Sequence, residues 1–337
     1  MPLACGKRRN HGANIKRQVA CMIRKTYAAS QAKGRARMRR SLQRYWQLYL
    51  FLLPTILYVV IFRYLPMVGI QIAFRAFSPK LGYWGSKWVG LKHFTRFFTS
   101  YYAERQIVNT VVLSFGTLLF SFPMPVLLAL LLNEVRSSKV KRIIQTITYA
   151  PHFLSLVVVV GLVASLTNIN YGLINILLKK AGLIETSINF MTQAEWFRPL
   201  YILSSIWQET GWNAVIYMAA LAAVDVQLYE AAEVDGAGRL RRIWHVTLPC
   251  IAPTMITMLI LNAGKVMNIG YEKVLLMQND LNKATSDVIT TYVYQQGILK
   301  GQYSYSTAVN LFNSVINTAL VICVNAISRR VSDTSLW

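Results

Sequence analysis

Six stretches of this 337-residue sequence are long and apolar enough to cross a bilayer, at roughly 46–74, 107–132, 147–167, 199–224, 247–268 and 307–328. A helix needs about 20 residues to traverse the hydrocarbon layer. No water lies there to satisfy backbone N–H and C=O groups, so an open chain can cross only as helix. The sequence therefore predicts an all-α integral membrane protein with six transmembrane helices. Hydrophobic residues make up 54% of the chain, and mean hydropathy is +0.37, which excludes an ordinary soluble domain. Pro54, Pro66, Pro123 and Pro125 fall within spans and predict kinks. Arg63 and Lys265 interrupt the first and fifth spans.

Charge sets the orientation. Lys and Arg number 36 against 13 Asp and Glu, and no acid precedes Glu104. Thirteen of the basic residues lie in residues 1–45, four in 133–146, three in 225–246, and Arg329 and Arg330 close the last span. The alternate connections are sparser, with three each in 168–198 and 269–306, although 75–106 holds six. Basic residues concentrate on the cytoplasmic side, so both termini and the 225–249 segment are expected there, in a multi-pass protein. The chain divides into a basic arm, 1–45, and a membrane domain, 46–337. Within the arm, IKRQVACMIRKTYAA (15–29) places Ile15, Val19, Met22 and Ile23 on one helical face, a pattern that suits a helix lying on anionic lipid. The alternative is an unstructured basic arm. A nucleic-acid role for the charge does not fit a six-span chain.

Enzyme chemistry is missing. Gly264-Lys265 lacks the first glycine and the trailing Ser or Thr of a phosphate loop, and it lies in a span. The four histidines form no HExxH, and Cys5, Cys21, Cys250 and Cys323 form no CxxC, so no metal site is expected. Glu209 is the one carboxylate positioned within a span that could carry proton or sodium coupling. Energised work would therefore depend on another polypeptide.

One segment is out of keeping with the rest. EAAEVDGAGRLRRIWHVTLP (230–249) carries three carboxylates and three arginines between two apolar spans, in a chain only 15% charged. Leu228–Val234 favours helix, Gly236 permits positive φ, and Arg239–His245 can form a second short helix. Glu230 near the start of the first helix would complement its dipole. A helix–turn–helix projecting from the membrane presents a knob to a partner.

This segment resembles the EAA loop of the membrane subunits of binding-protein-dependent ABC importers: Glu230-Ala231-Ala232, three residues, Gly236, nine residues, an aliphatic residue, one residue, Leu248-Pro249. Val246 stands where the pattern has Ile. FRYLPMVGIQIAF (62–74), GSKWVGLKHFTRFF (85–98), NEVRSSKVKRIIQT (133–146), YAPHF (149–153), IWQETGWN (206–213) and ITTYVYQQGI (289–298) look like the polysaccharide-type permeases among carbohydrate importers.

The resemblance implies a type I ABC importer permease fold with cytoplasmic EAA coupling helices in 225–249. Glu230, Ala231, Ala232, Asp235, Gly236, Leu248 and Pro249 would couple to the ATPase. It also implies a second homologous permease subunit, two ATPase subunits that hold the ATP and Mg, and an extracytoplasmic substrate-binding protein. This chain itself would bind no cofactor. The substrate would be an oligosaccharide, either an anionic uronate or a neutral sugar. A gradient-driven transporter is the competing class.

Sugars are held by aromatic faces, amides and hydroxyls. The candidates for the substrate path are Trp207, Trp212, Asn213 and Tyr217 in the fourth span, Asn262, Lys265 and Asn268 in the fifth, and Asn310, Asn313 and Asn317 in the sixth. Lys265 would suit an anionic sugar. The same polar residues could instead hold helices together. The 168–198 and 269–306 loops are expected to receive the binding protein.

Overall fold

The computed structural model describes residues 44–331. The 15–29 helix expected in the basic arm lies outside the described residues. The chain divides into two units, one ending at Gly69 and one beginning at Ile70. A helical stretch, α1 (Trp46–Phe74), runs through the first unit and ends, with 70–74, in the second; it begins as α-helix to Val59 and widens to a π-turn over Val60–Tyr64. No side chain between Trp46 and Tyr64 is buried. Apolar residues occupy every face, as in a helix surrounded by lipid.

The second unit continues with a two-stranded antiparallel ribbon, β1 (Arg75–Ala76) and β2 (Lys87–Trp88), paired Arg75 to Trp88. Arg75 Nη1 closes the intervening loop by donating to the Ser86 carbonyl at 2.9 Å and the Trp84 carbonyl at 3.2 Å. Helices follow in the order α2 (Lys92–Phe98), α3 (Ala103–Glu134), α4 (Ser138–Phe153), α5 (Leu156–Leu166), α6 (Leu173–Lys180), α7 (Ala194–Ala222), α8 (Val226–Val234), α9 (Arg239–Ala263), α10 (Tyr271–Met277), α11 (Ile289–Tyr294) and α12 (Tyr303–Arg330).

Among the described residues, α1, α3, α9 and α12 are each long and apolar enough to cross a membrane. The total reaches six when each of two bent pairs, α4 with α5 and α7 with α8, is one span. Two spans depart from the lengths expected. The third breaks by 104° between α4 and α5. Ala150–Phe153 tightens to a 3₁₀ turn around Pro151, and the Ser155 side chain restarts the helix by accepting from the Val158 N–H. The fifth span stops at Ala263 rather than 268, and 264–270 is non-helical.

The long helix α7 organises the interior. Phe197 and Tyr201 join Leu113, Val160, Val274 and Val288 in one apolar cluster, while Ala214, Tyr217 and Leu221 join Val126, Ala129 and Ile251 in another. Gly211 of α7 lies so close to α4 that an added Cβ would overlap the Thr148 carbonyl. Hydrogen bonds tie the 269–306 connection to the bundle. Asp287 Oδ2 accepts from Arg105 Nη2 at 2.9 Å and from Gln106 Nε2 at 3.3 Å. Asn109 donates to the Ala284 and Asp287 carbonyls, and its own Oδ1 accepts from Arg198 at 2.8 Å. Much of that connection's polar chemistry is spent on closing over the bundle.

Candidate functional site

The charged loop is built as the sequence suggests at its corner and differently at its ends. Helix α8 turns 71° away from α7. Asp225 caps its start, its Oδ1 accepting from the Gln227 N–H at 3.0 Å, so Glu230 lies mid-helix and does not serve the N-terminal dipole as expected. At the other end Gly236 adopts φ +71°. The Gly236 N–H reaches the Glu233 carbonyl at 3.0 Å, and the Ala237 N–H reaches Ala232 at 2.9 Å. This is the paired C-terminal closure that needs a left-handed residue. The second expected short helix, Arg239–His245, is instead the beginning of α9, helical through a π-turn at Ile243–Thr247 to Ala263. Two contacts brace the loop: Arg242 Nη1 to Glu233 Oε2 at 3.2 Å, and Tyr229 Oη to Thr247 Oγ1 at 3.1 Å. Glu230, Ala231, Asp235, Gly236 and Pro249 are exposed, and Ala232 and Leu248 are half-buried. Most of the loop's surface is therefore open.

A cavity of about 230 Å³ lies between α3, α7, α9 and the non-helical 264–270 segment. Of the sequence candidates, Asn213, Tyr217, Asn262, Lys265 and Asn268 line it. Trp207, Trp212, Asn310, Asn313 and Asn317 do not. Asn310 is exposed elsewhere on α12, while Asn313 and Asn317 are buried behind the cavity wall. Trp207 is exposed on α7, and Trp212 stacks on the His152 ring at 4.8 Å.

Among the lining residues not anticipated are Ser114, Thr117 and Ser121 of α3, whose hydroxyl oxygens are buried and have no hydrogen-bond partner among the described residues. Their spacing of three and four in an apolar span was the available signal, since it aligns them on one helical face.

The carboxylate within α7 is occupied. Glu209 Oε2 lies 3.0 Å from His152 Nδ1, at the α4–α5 break. With the Trp212 stack and the Gln208 amide donating to the Leu154 carbonyl, this contact pins the break to α7. Toward the far end of α7, Lys273 on α10 donates to Ser205 Oγ at 2.7 Å and lies over the Tyr201 ring at 5.0 Å. Burial pushes its ammonium down to about 8, while the Glu209 carboxylate pulls the other way.

A bundle of broken and continuous spans around a cavity that mixes apolar side chains with Ser, Asn and Lys, and with a capped helix–turn projecting from one end, defines a membrane permease. Residues 97–333 match the family described as binding-protein-dependent transport system inner membrane component, and the chain belongs to that family. It is 48% identical to Protein LplB of Bacillus subtilis (strain 168), over 86% of this chain and 91% of that one. It is 47% identical to the polygalacturonan/rhamnogalacturonan transport system permease protein YteP of the same organism, over 86% and 90%. Its fold is similar to a chain from the crystal structure of a bacterial ABC transporter involved in the import of the acidic polysaccharide alginate. That match has a TM-score of 0.80 and 42% identity, covering 88% of this chain and 99% of the other. A related structure, with 41% identity and a TM-score of 0.81, is of that kind of transporter in complex with an alginate pentasaccharide-bound periplasmic protein, with coverage of 88% and 99%.

Proposed function

We propose that this chain is one of two homologous permease subunits in an ATP-driven importer that carries an anionic oligosaccharide inward by alternating access. The sugar arrives on an extracytoplasmic binding protein, and two cytoplasmic ATPase subunits hold the ATP and Mg. The observation that carries the substrate class is the cavity. Ser114, Thr117 and Ser121 of α3 line it together with Asn213, Asn262, Asn268 and Lys265, a set suited to sugar hydroxyls with one cation for an acidic group. The uronate-rich polymers named for the YteP relative and the alginate transporter agree with that charge. A gradient-driven mechanism is disfavoured because Glu209, the carboxylate it would use, is engaged with His152.

The coupling role falls to Glu230, Ala231, Ala232, Asp235, Gly236, Leu248 and Pro249, on the cytoplasmic side together with both termini. Single cysteines placed in 168–198 should label from outside the cell and those in 230–249 should not. The reverse pattern would invert the topology.

Function is tested in proteoliposomes containing this chain, its partner permease and the ATPase subunits. A loaded binding protein should stimulate ATP hydrolysis and drive uptake of a galacturonate or mannuronate oligomer. Failure of every uronate and success of a neutral oligosaccharide would replace the anionic reading. Lys265→Met should reduce uptake of the uronate about tenfold relative to its methyl ester, since a hydrogen bond to a charged group contributes roughly 1.5–3 kcal/mol. An unchanged ratio removes Lys265 from the path.

A further inference from the structure

The cavity rim is held from behind by two asparagines that never reach the cavity. After Ala263, residues 264–270 continue as isolated turns, with the Lys265, Val266 and Asn268 N–H groups bonding three residues back. This leaves the peptide groups of Met267 free of any helix, although Met267 is buried. An unpaired buried peptide group is costly, and α12 satisfies both of them. Asn317 Oδ1 accepts from the Met267 N–H at 3.0 Å, and Asn313 Nδ2 donates to the Met267 carbonyl at 3.2 Å.

These contacts fix more than backbone. Oxygen and nitrogen of an amide side chain are told apart by what they bond. A peptide carbonyl can only accept, so the end of Asn313 that meets it must be the NH₂. That same Nδ2 lies 3.1 Å from Asn268, which must therefore present its Oδ1 to Asn313. Asn268 lines the cavity, and its Nδ2 makes no hydrogen bond among the described residues. The amide's donor end is what remains for a ligand.

We propose that Asn313 is a positioning residue that sets the polarity of the Asn268 amide, with Asn317 holding the Met267 peptide against which Asn313 is oriented. The rim then offers a ligand two donors, Asn268 Nδ2 and the Lys265 ammonium. It selects saccharide groups that accept, a carboxylate above all. This inference rests on the reading of the cavity as the sugar path. It adds that selectivity at Asn268 is imposed through the backbone of Met267, by residues no substrate touches.

The test is the rate of uptake of a uronate oligomer divided by that of its methyl ester, with the binding protein saturated by each. Taking the ratio within one proteoliposome preparation cancels differences in folded complex. Asn268→Ala should lower the ratio about tenfold. Asn313→Asp is nearly isosteric, but puts an oxygen against the Met267 carbonyl and Asn268 Oδ1. It should turn the Asn268 amide around and lower the ratio at least as far. In an Asn268→Ala background, Asn313→Asp should lower it no further, an outcome that a general weakening of the bundle would not give. Asn268→Asp, on the exposed rim, supplies an independent reading if Asn313→Asp fails to assemble; it should also lower the ratio. An unchanged ratio in Asn268→Ala or Asn268→Asp overturns the proposal, as does an additive loss in the double variant. If wild type takes up both sugars and only these ratios stay flat, the functional reading survives without this inference. If wild type takes up no saccharide, both fall.

Discussion

Gly211→Ala should remove most of the folded protein, although alanine is the better helix former by about 1 kcal/mol. The opposed signs make the substitution informative. An added Cβ would overlap the backbone carbonyl of Thr148, and a carbonyl in α4 cannot swing aside as a side-chain tip can. The two helices would have to part, at a cost above the ~1–3 kcal/mol usual for overpacking. Separating them also strains the His152–Glu209 contact and the Trp212 stack, which lie within one turn of the same crossing. Gly161 on α5 is the control, since nothing lies within 4 Å of a Cβ built there, and Gly161→Ala should be neutral or stabilising. The thermal unfolding midpoint of detergent-purified protein reports both. A Gly211→Ala midpoint at or above wild type would mean that α4 and α7 do not approach as described.

Gly236→Leu should leave the fold intact and disconnect the permease from ATP hydrolysis. A left-handed backbone costs a side-chain-bearing residue roughly 1–2 kcal/mol, and leucine here would pull against the two hydrogen bonds that close α8. Among the described residues nothing lies within 4 Å of the added Cβ, so expression and membrane insertion should persist. The damage falls on a surface that the loop presents outward. Stimulated ATP hydrolysis and uptake should both drop by more than tenfold. Asn tolerates the left-handed region, so Gly236→Asn should recover much of the activity, which separates backbone shape from bulk. Wild-type stimulation in Gly236→Leu would sink the assignment of this loop as the coupling element.

The apolar lengths gave the helical membrane class because hydropathy over about 20 residues is a direct consequence of bilayer thickness. The turn at Gly236 was legible for an equally local reason, the scarcity of residues that adopt positive φ. What the sequence hid depends on distant partners. The fifth span reads as continuous through Asn268, because hydropathy does not register a helix unwinding. That unwinding is stabilised by Asn313 and Asn317, some fifty residues away. Asn310, Asn313 and Asn317 share a face by spacing, yet spacing does not say whether that face meets a cavity or another backbone. Glu230 was misplaced because Asp225, five residues earlier, caps the helix and starts it at Val226 rather than Leu228.

Helix α9 begins in the charged loop at Arg239, lines the cavity with Asn262, and ends at Ala263, two residues before Lys265. At about 1.5 Å per residue its 25 residues form a strut roughly 37 Å long. The charged loop, to which we assign the ATPase contact, and the segment that carries Lys265 are thus two ends of one rod. Side-chain relays are not required between them, because a rod that shifts along its axis or tilts carries its far tip with it. Its weak points are the π-turn at 243–247 and the two prolines, Pro249 and Pro253, each of which forfeits a backbone hydrogen bond. Under the proposed coupling role, stiffness at these positions would fix how much of a displacement at the loop reaches Lys265.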